Sequence, residues 1–90
     1  MRLSFHVRVY ITLRPSVLDP AGAAVTRNLQ HLGYGVAEVR IGKYVEFTLE
    51  AMSETDATAQ VEALCDQVLT NPVVETYRYD LLPAPVSAQS

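Results

Sequence analysis

From Leu3 to Leu13 every second residue is apolar: Leu3, Phe5, Val7, Val9, Ile11 and Leu13. The residues between them, Ser4, His6, Arg8, Tyr10 and Thr12, are polar or amphipathic, and Arg2 and Arg14 extend the same series. Successive side chains on a strand point to opposite faces, so strict alternation of this length predicts a strand with one face on a core and one face on solvent. Pro15 ends the pattern, because proline cannot donate to a ladder. A chain that begins this way must supply further strands beside the first and an apolar layer over one face.

The stretch from Gly33 to Glu50, GYGVAEVRIGKYVEFTLE, supplies the strands. Ala37, Val39 and Ile41 alternate with Glu38 and Arg40. Val45, Phe47 and Leu49 then alternate with Tyr44, Glu46, Thr48 and Glu50. The reading is a β-hairpin with its corner at Gly42-Lys43, where glycine would provide the positive φ that a two-residue loop requires. A last strand is expected from Val73 to Leu82. It has Tyr77, Tyr79 and Leu81 on one face and Thr76, Arg78 and Asp80 on the other.

Two helices complete the pattern. Asp19 is a good N-cap and Pro20 a good first helical residue, since proline's missing N–H would be unpaired there. Val25, Leu29 and Leu32 follow at helical spacing, with Ala21 and Ala24 near the same face. Gly22 costs about 1 kcal/mol against alanine inside a helix, and close packing of that helix on the sheet is the simplest reason for it. A close approach by a partner or ligand backbone is the other. Gly33 is placed as a left-handed cap. Ser53 and Asp56 approximate a capping box for the second helix, and Glu54 and Asp56 suit its positive end. Ala57, Val61, Leu64, Cys65 and Val68 form one buried stripe, and Asn71-Pro72 stops it. The order β-α-β-β-α-β predicts an α+β fold of the ferredoxin-like kind: a two-layer sandwich, an antiparallel sheet with both helices on one face. Residues 1–82 form one domain. Residues 83–90 (PAPVSAQS) carry no pattern and are expected to be a disordered C-terminal tail.

Ninety residues make a small core. A formal charge of −3, with seven scattered lysines and arginines, is not the electrostatic footprint of a nucleic-acid binder. The single cysteine rules out an internal disulfide. No apolar run is long enough to cross a bilayer, and the alternation starts at once, unlike a signal peptide; a cytoplasmic chain is expected. Candidates for catalysis are few. Cys65 lies on an apolar stripe and reads as a small hydrophobe. His6 lies on the outer face of the first strand and His31 at a helix C-terminus, where positive charge is welcome. Two histidines and one cysteine on separate elements do not make a metal site by spacing. The outer sheet face is more informative. His6, Arg8, Tyr10 and Thr12 would lie beside Tyr44, Glu46 and Thr48, a mixture of tyrosine and charge that suits a protein interface.

The segments VRVYITLRPSVLDPAGAAV, LGYGVAEVRIGKYVEF and CDQVLTNPVVETYRYD together resemble the PurS family, the small subunit of bacterial and archaeal phosphoribosylformylglycinamidine synthase. The resemblance runs from Val7 to about Tyr79. It implies a part in the ATP- and glutamine-dependent amidation of formylglycinamide ribonucleotide in de novo purine synthesis. It further implies an accessory ligase subunit with no catalytic residues of its own, and self-association as a homodimer or tetramer. Its partners would be a PurQ-type glutaminase and a PurL-type synthetase, and it would help ammonia pass between them. ATP, Mg and glutamine would be used by those partners, with no cofactor or metal held by this chain. Arg40, Lys43 and Tyr44, in the family's most recognisable stretch, are the expected partner-facing residues. The alternative reading is an ACT-like regulatory domain that binds a small molecule near Pro15–Gly22.

Overall fold

The computed structural model describes residues 2–84. The elements run β1 (Leu3–Leu13), α1 (Pro20–His31), β2 (Lys43–Ala51), α2 (Glu54–Leu64) and β3 (Glu75–Pro83), with a π-helical turn, Cys65–Leu69, continuing α2. The sheet has the order β2-β1-β3 and both pairings are antiparallel. The two-layer α+β architecture is therefore as expected. Strand β1 is central because it alone has an apolar alternation long enough to be flanked along its whole length. Leu3 to Ile11 pair with Ala51 to Lys43, and Phe5 to Leu13 pair with Pro83 to Glu75.

The core lies between the sheet and α2. Phe5, Val7, Val9 and Ile11 of β1 are buried against Ala51, Ala57, Val61 and Cys65. Val45, Phe47 and Leu49 of β2, Leu69, and Tyr77, Tyr79 and Leu81 of β3 close around them. Helix α2 starts where Ser53 Oγ accepts from the Asp56 amide at 3.0 Å, and Asp56 Oδ2 accepts from the Met52 amide at 2.9 Å. The first bond satisfies one of the amides that the helix leaves open, and the second ties down the chain just before the cap. At the far end, the Thr70 amide and hydroxyl both donate to the Cys65 carbonyl, at 3.0 and 2.7 Å. The Tyr77 and Tyr79 hydroxyls reach back from β3 to Asp66 and Glu62.

The structure corrects three expectations. First, there is no hairpin at Gly42-Lys43. Residues 36–42 form no paired strand, and no turn or bend interrupts the chain from Tyr34 into β2. Among the described glycines only Gly33 has a positive φ, +96°. Gly42 is needed for another reason: a Cβ there would collide with the Ile11 carbonyl. Second, α1 does not lie on this chain's own sheet. Among the described residues none of α1 joins the core, and Leu32 is 73% exposed. Third, the close packing that excludes a side chain at Gly22 is not against the sheet. A Cβ at Gly22 would strike the Val39 carbonyl, so it is the chain's own returning segment that passes there.

Gly33 does cap α1 as expected. Its amide donates to the Gln30 carbonyl at 3.0 Å and the next amide, Tyr34, to the Leu29 carbonyl at 3.0 Å, the two bonds of a Schellman motif. Pairing at the C-terminus runs past the expected boundary at Leu82. Pro83 is the last residue of β3, and the Ala84 amide donates to the Ser4 carbonyl at 2.9 Å. The rest of the expected tail, 85–90, lies outside the described residues.

Candidate functional site

Two surfaces carry the chemistry that is not spent on the core. One is the sheet face turned away from α2. Register places Tyr10 between Tyr44 and Arg78, and Arg8 between Glu46 and Asp80. The Tyr10 and Tyr44 rings are 5.3 Å apart and tilted, and the Arg78 guanidinium lies 4.0 Å above the Tyr10 ring. The Tyr10 hydroxyl donates to Asp80 at 2.9 Å, and the Tyr44 hydroxyl to Glu46 at 2.6 Å. Each bond holds a phenol proton against a carboxylate, so both tyrosine pKa values are raised, chiefly by that bond. His6 Nε2 is 3.9 Å from the other Glu46 oxygen. The face is thus a pre-ordered patch of aromatic rings and opposed charges. The sequence puts Arg78 and Asp80 on the face of β3 opposite Tyr77 and Tyr79 but does not bring them to this patch. The signal available was the outward parity of those two residues in TYRYD.

The other surface is an arm made of α1 and residues 36–42. Asp19, only 5% exposed, holds it together. Its carboxylate accepts the Gly22 amide at 2.9 Å as the helix cap and the Ile41 amide at 2.8 Å from the returning chain. These amides, Ile41 first and then Gly22, pull its pKa below the ordinary value of 3.8. Thr26 Oγ1 donates to the Gly22 carbonyl at 2.8 Å and accepts the Val39 amide at 3.0 Å. Gln30 donates to the Val36 carbonyl at 2.9 Å. Three polar side chains on one side of α1 thus fasten the returning segment along it. Glu38 lies in this segment with φ of +56°, a left-handed conformation that costs a non-glycine residue energy.

The three residues expected at a partner interface are neighbours in sequence and diverge in space. The Arg40 guanidinium donates to the Arg14 and Val17 carbonyls, at 3.0 and 3.1 Å, and fastens the β1–α1 loop to the arm. Lys43 pairs with Glu75 of β3 at 3.3 Å. Tyr44 belongs to the outer-face patch. All three sit where the arm leaves the sheet. Cys65 is fully buried and burial raises its thiol pKa, the opposite of what a nucleophile needs. His31 is exposed at the end of α1 beside Arg27 and Gln30. Among the described residues no three of histidine, cysteine, aspartate or glutamate are grouped so as to hold a metal ion, and no helix is long and apolar enough to cross a membrane.

This geometry can order and dock. Comparison with known proteins agrees with the resemblance already visible in the sequence. The PurS family, described as phosphoribosylformylglycinamidine (FGAM) synthase, matches residues 6–83. The phosphoribosylformylglycinamidine synthase subunit PurS of Synechocystis is 57% identical over 82 residues, covering 90% of this chain and 82% of its own. The solved structure of Bacillus subtilis PurS is 44% identical, with a TM-score of 0.76 over 86% of this chain and 96% of that one. A chain in the solved PurLQS structure from Thermotoga maritima is 32% identical, with a TM-score of 0.81 over 88% of this chain and 98% of that one. On this match, which spans nearly every described residue, the chain belongs to the PurS family.

Proposed function

We propose that this chain is the small, non-catalytic subunit of a phosphoribosylformylglycinamidine synthase, joining a PurL-type synthetase to a PurQ-type glutaminase. The observation that carries the reading is the likeness to the PurLQS structure, in which a chain of the same fold stands in one assembly with PurL and PurQ. The physical role follows from ammonia. Released into water at neutral pH, ammonia is mostly protonated and no longer a nucleophile. A subunit that holds two active sites in register spares it that encounter and raises its effective concentration. ATP, Mg and glutamine are handled by the partners. The compartment is the cytoplasm, and the chain also associates with itself.

Arg40, Lys43 and Tyr44 take part in docking as the junction between arm and sheet. Arg40 and Lys43 set the angle of the arm, and Tyr44 presents an exposed ring on the patch. The ACT-like alternative finds no support. Its ligand loop would be Pro15–Gly22, where the buried Asp19 carboxylate already accepts two amides. Reconstitution tests the proposal. The matching PurL-type and PurQ-type proteins are assayed for amidine synthesis with and without this chain, once with glutamine and once with concentrated ammonia. Glutamine-driven synthesis should require the chain and ammonia-driven synthesis should not. Indifference of both reactions would refute the coupling role.

A further inference from the structure

Strand β3 carries an open edge beside two uncompensated carboxylates. It is terminal in the order β2-β1-β3, with no neighbour on its outer side among the described residues. The Arg14 amide donates to the Val74 carbonyl at 2.8 Å, and the Ala84 amide to the Ser4 carbonyl at 2.9 Å. These bonds fix the phase of the ladder. Even-numbered residues of β3 direct their backbone groups at β1, and Tyr77, Tyr79 and Leu81 direct theirs outward. The outward run is about 14 Å long at about 3.4 Å per residue. Pairing with β1 is unbroken from Glu75 to Pro83, so no bulge twists the edge away, and no lysine blunts it. The edge stops at Pro83, whose missing N–H falls on the open side and costs the pairing with β1 nothing.

On the α2 side of the same edge, the Tyr77 and Tyr79 hydroxyls donate to Asp66 at 3.3 Å and to Glu62 at 2.8 Å. The two rings stack with their centroids 6.3 Å apart. Both acids are exposed, and among the described residues neither is within ion-pair distance of a lysine, arginine or histidine. Arg78, the cation on β3, lies on the other face over the Tyr10 ring. Glu62 and Asp66 are four residues apart on one helical run, about 6 Å along its axis. Alternate side chains of an extended strand repeat at about 6.8 Å. A strand added to β3 would therefore present successive residues on its α2 side to these two carboxylates in turn.

We infer that β3 accepts an extended segment of a partner subunit as an added strand, one with lysine or arginine at two alternate positions that meet Asp66 and Glu62. Backbone bonds to Tyr77, Tyr79 and Leu81 supply the grip, and the two charge pairs set the register. Charge chooses among the occupants. Two copies of β3 laid edge to edge would bring Glu62 and Asp66 of both into one seam, and like charges across a strand pair are destabilising. The chain's own residues 85–90, PVSAQS, contain no basic side chain. A basic strand from another protein is the occupant that both features fit. This inference rests on the assembly proposed above and names a surface for it.

Hydrogen exchange tests it on the full chain, alone and mixed with the matching PurL-type and PurQ-type proteins, read amide by amide. In the chain alone Thr76, Arg78 and Asp80 should exchange slowly and Tyr77, Tyr79 and Leu81 fast. Assembly should slow those last three by about tenfold or more. The charge is tested separately with E62K/D66K, and with E62Q/D66N, which keeps an acceptor for each tyrosine. Both should weaken assembly, the reversal by about tenfold or more, while circular dichroism and self-association stay unchanged. Unaltered exchange at 77, 79 and 81 in a formed complex, or full-strength assembly of either folded variant, overturns this inference and leaves the bridging role standing. Slow exchange at those three amides in the chain alone means that a second copy covers the edge, and overturns it too. Failure of the unmodified chain to assemble with either protein overturns both.

Discussion

Replacing Gly22 with alanine separates this structure from helix-propensity reasoning, because the two predict opposite signs. Gly22 is in the first turn of α1, and alanine there gains about 1 kcal/mol of helix propensity. The new Cβ, however, meets the Val39 carbonyl and the Asp19 carboxylate. Two responses are open. The segment 36–42 stays fastened and the contact is overpacked, which costs about 2 kcal/mol. Otherwise the segment lifts away and two hydrogen bonds are lost, Val39 N–H to Thr26 and Ile41 N–H to Asp19, at about 1 kcal/mol each. Either route costs about 2 kcal/mol against a gain of about 1, so G22A should be less stable by about 1 kcal/mol. For a domain of this size that is a fall in Tm of about 4–8 °C. Thermal unfolding followed by circular dichroism measures it, at one protein concentration because self-association raises the apparent Tm. A variant as stable as the parent, or more so, would refute the account of why glycine occupies this position.

Three other expectations follow from capping and titration. S53A removes the acceptor for the Asp56 amide and should cost about 1 kcal/mol in urea unfolding, whereas S53D should restore it; equal loss in both would mean that the cap does not matter. Asp19 has a folded pKa below 3.8, so its contribution is complete above that pH and is lost as pH falls through the lower folded value. D19N should therefore show a shallower loss of stability between about pH 5 and pH 2, read by unfolding at each pH; an unchanged acid limb counts against the two amide bonds. Tyr77 is pushed up to about 12, by burial first and the nearby Asp66 charge second. The unfolded chain releases this proton near 10.0 and the folded chain retains it, so stability should fall as pH rises from 10 toward 12. Y77F should flatten that decline and remove the latest part of the ultraviolet tyrosinate titration; a tyrosinate spectrum complete by about pH 11 would contradict the burial.

What could be read from the sequence follows the interactions that are local. The β1 alternation, the Asp19–Pro20 start, the Ser53/Asp56 box and the Gly33 cap each depend on residues within a few positions of one another, and each is found where expected. The outer face was legible for β1 and β2 because parity alone decides which residues point outward. Its wiring was not, since Tyr10 to Asp80 and Arg78 over Tyr10 depend on which strands become neighbours. The second role of Asp19 was hidden for the same reason. A carboxylate before a proline announces a cap, and nothing local announces that its other oxygen will hold Ile41, across the whole of α1.

The misplaced hairpin is instructive because the sequence did contain the contrary signal. In a two-residue hairpin with Gly42 and Lys43 as the loop, Ile41 and Tyr44 are direct partners and share a face. Ile41 would then stand on the side opposite to Val45, and the apolar residues before and after the turn would face opposite ways. The apolar positions Ala37, Val39, Ile41, Val45, Phe47 and Leu49 are instead all odd-numbered. That unbroken parity argues against a two-residue turn at Gly42-Lys43, and the chain from Tyr34 into β2 has no turn in it. Gly42 drew attention as a turn residue, whereas its requirement is the close passage of Ile11. The residues before β2 are instead fastened to α1 and its cap, the Val39 amide to Thr26 and the Ile41 amide to Asp19, so the run that reads as the first arm of a hairpin belongs to the arm of the molecule and not to its sheet.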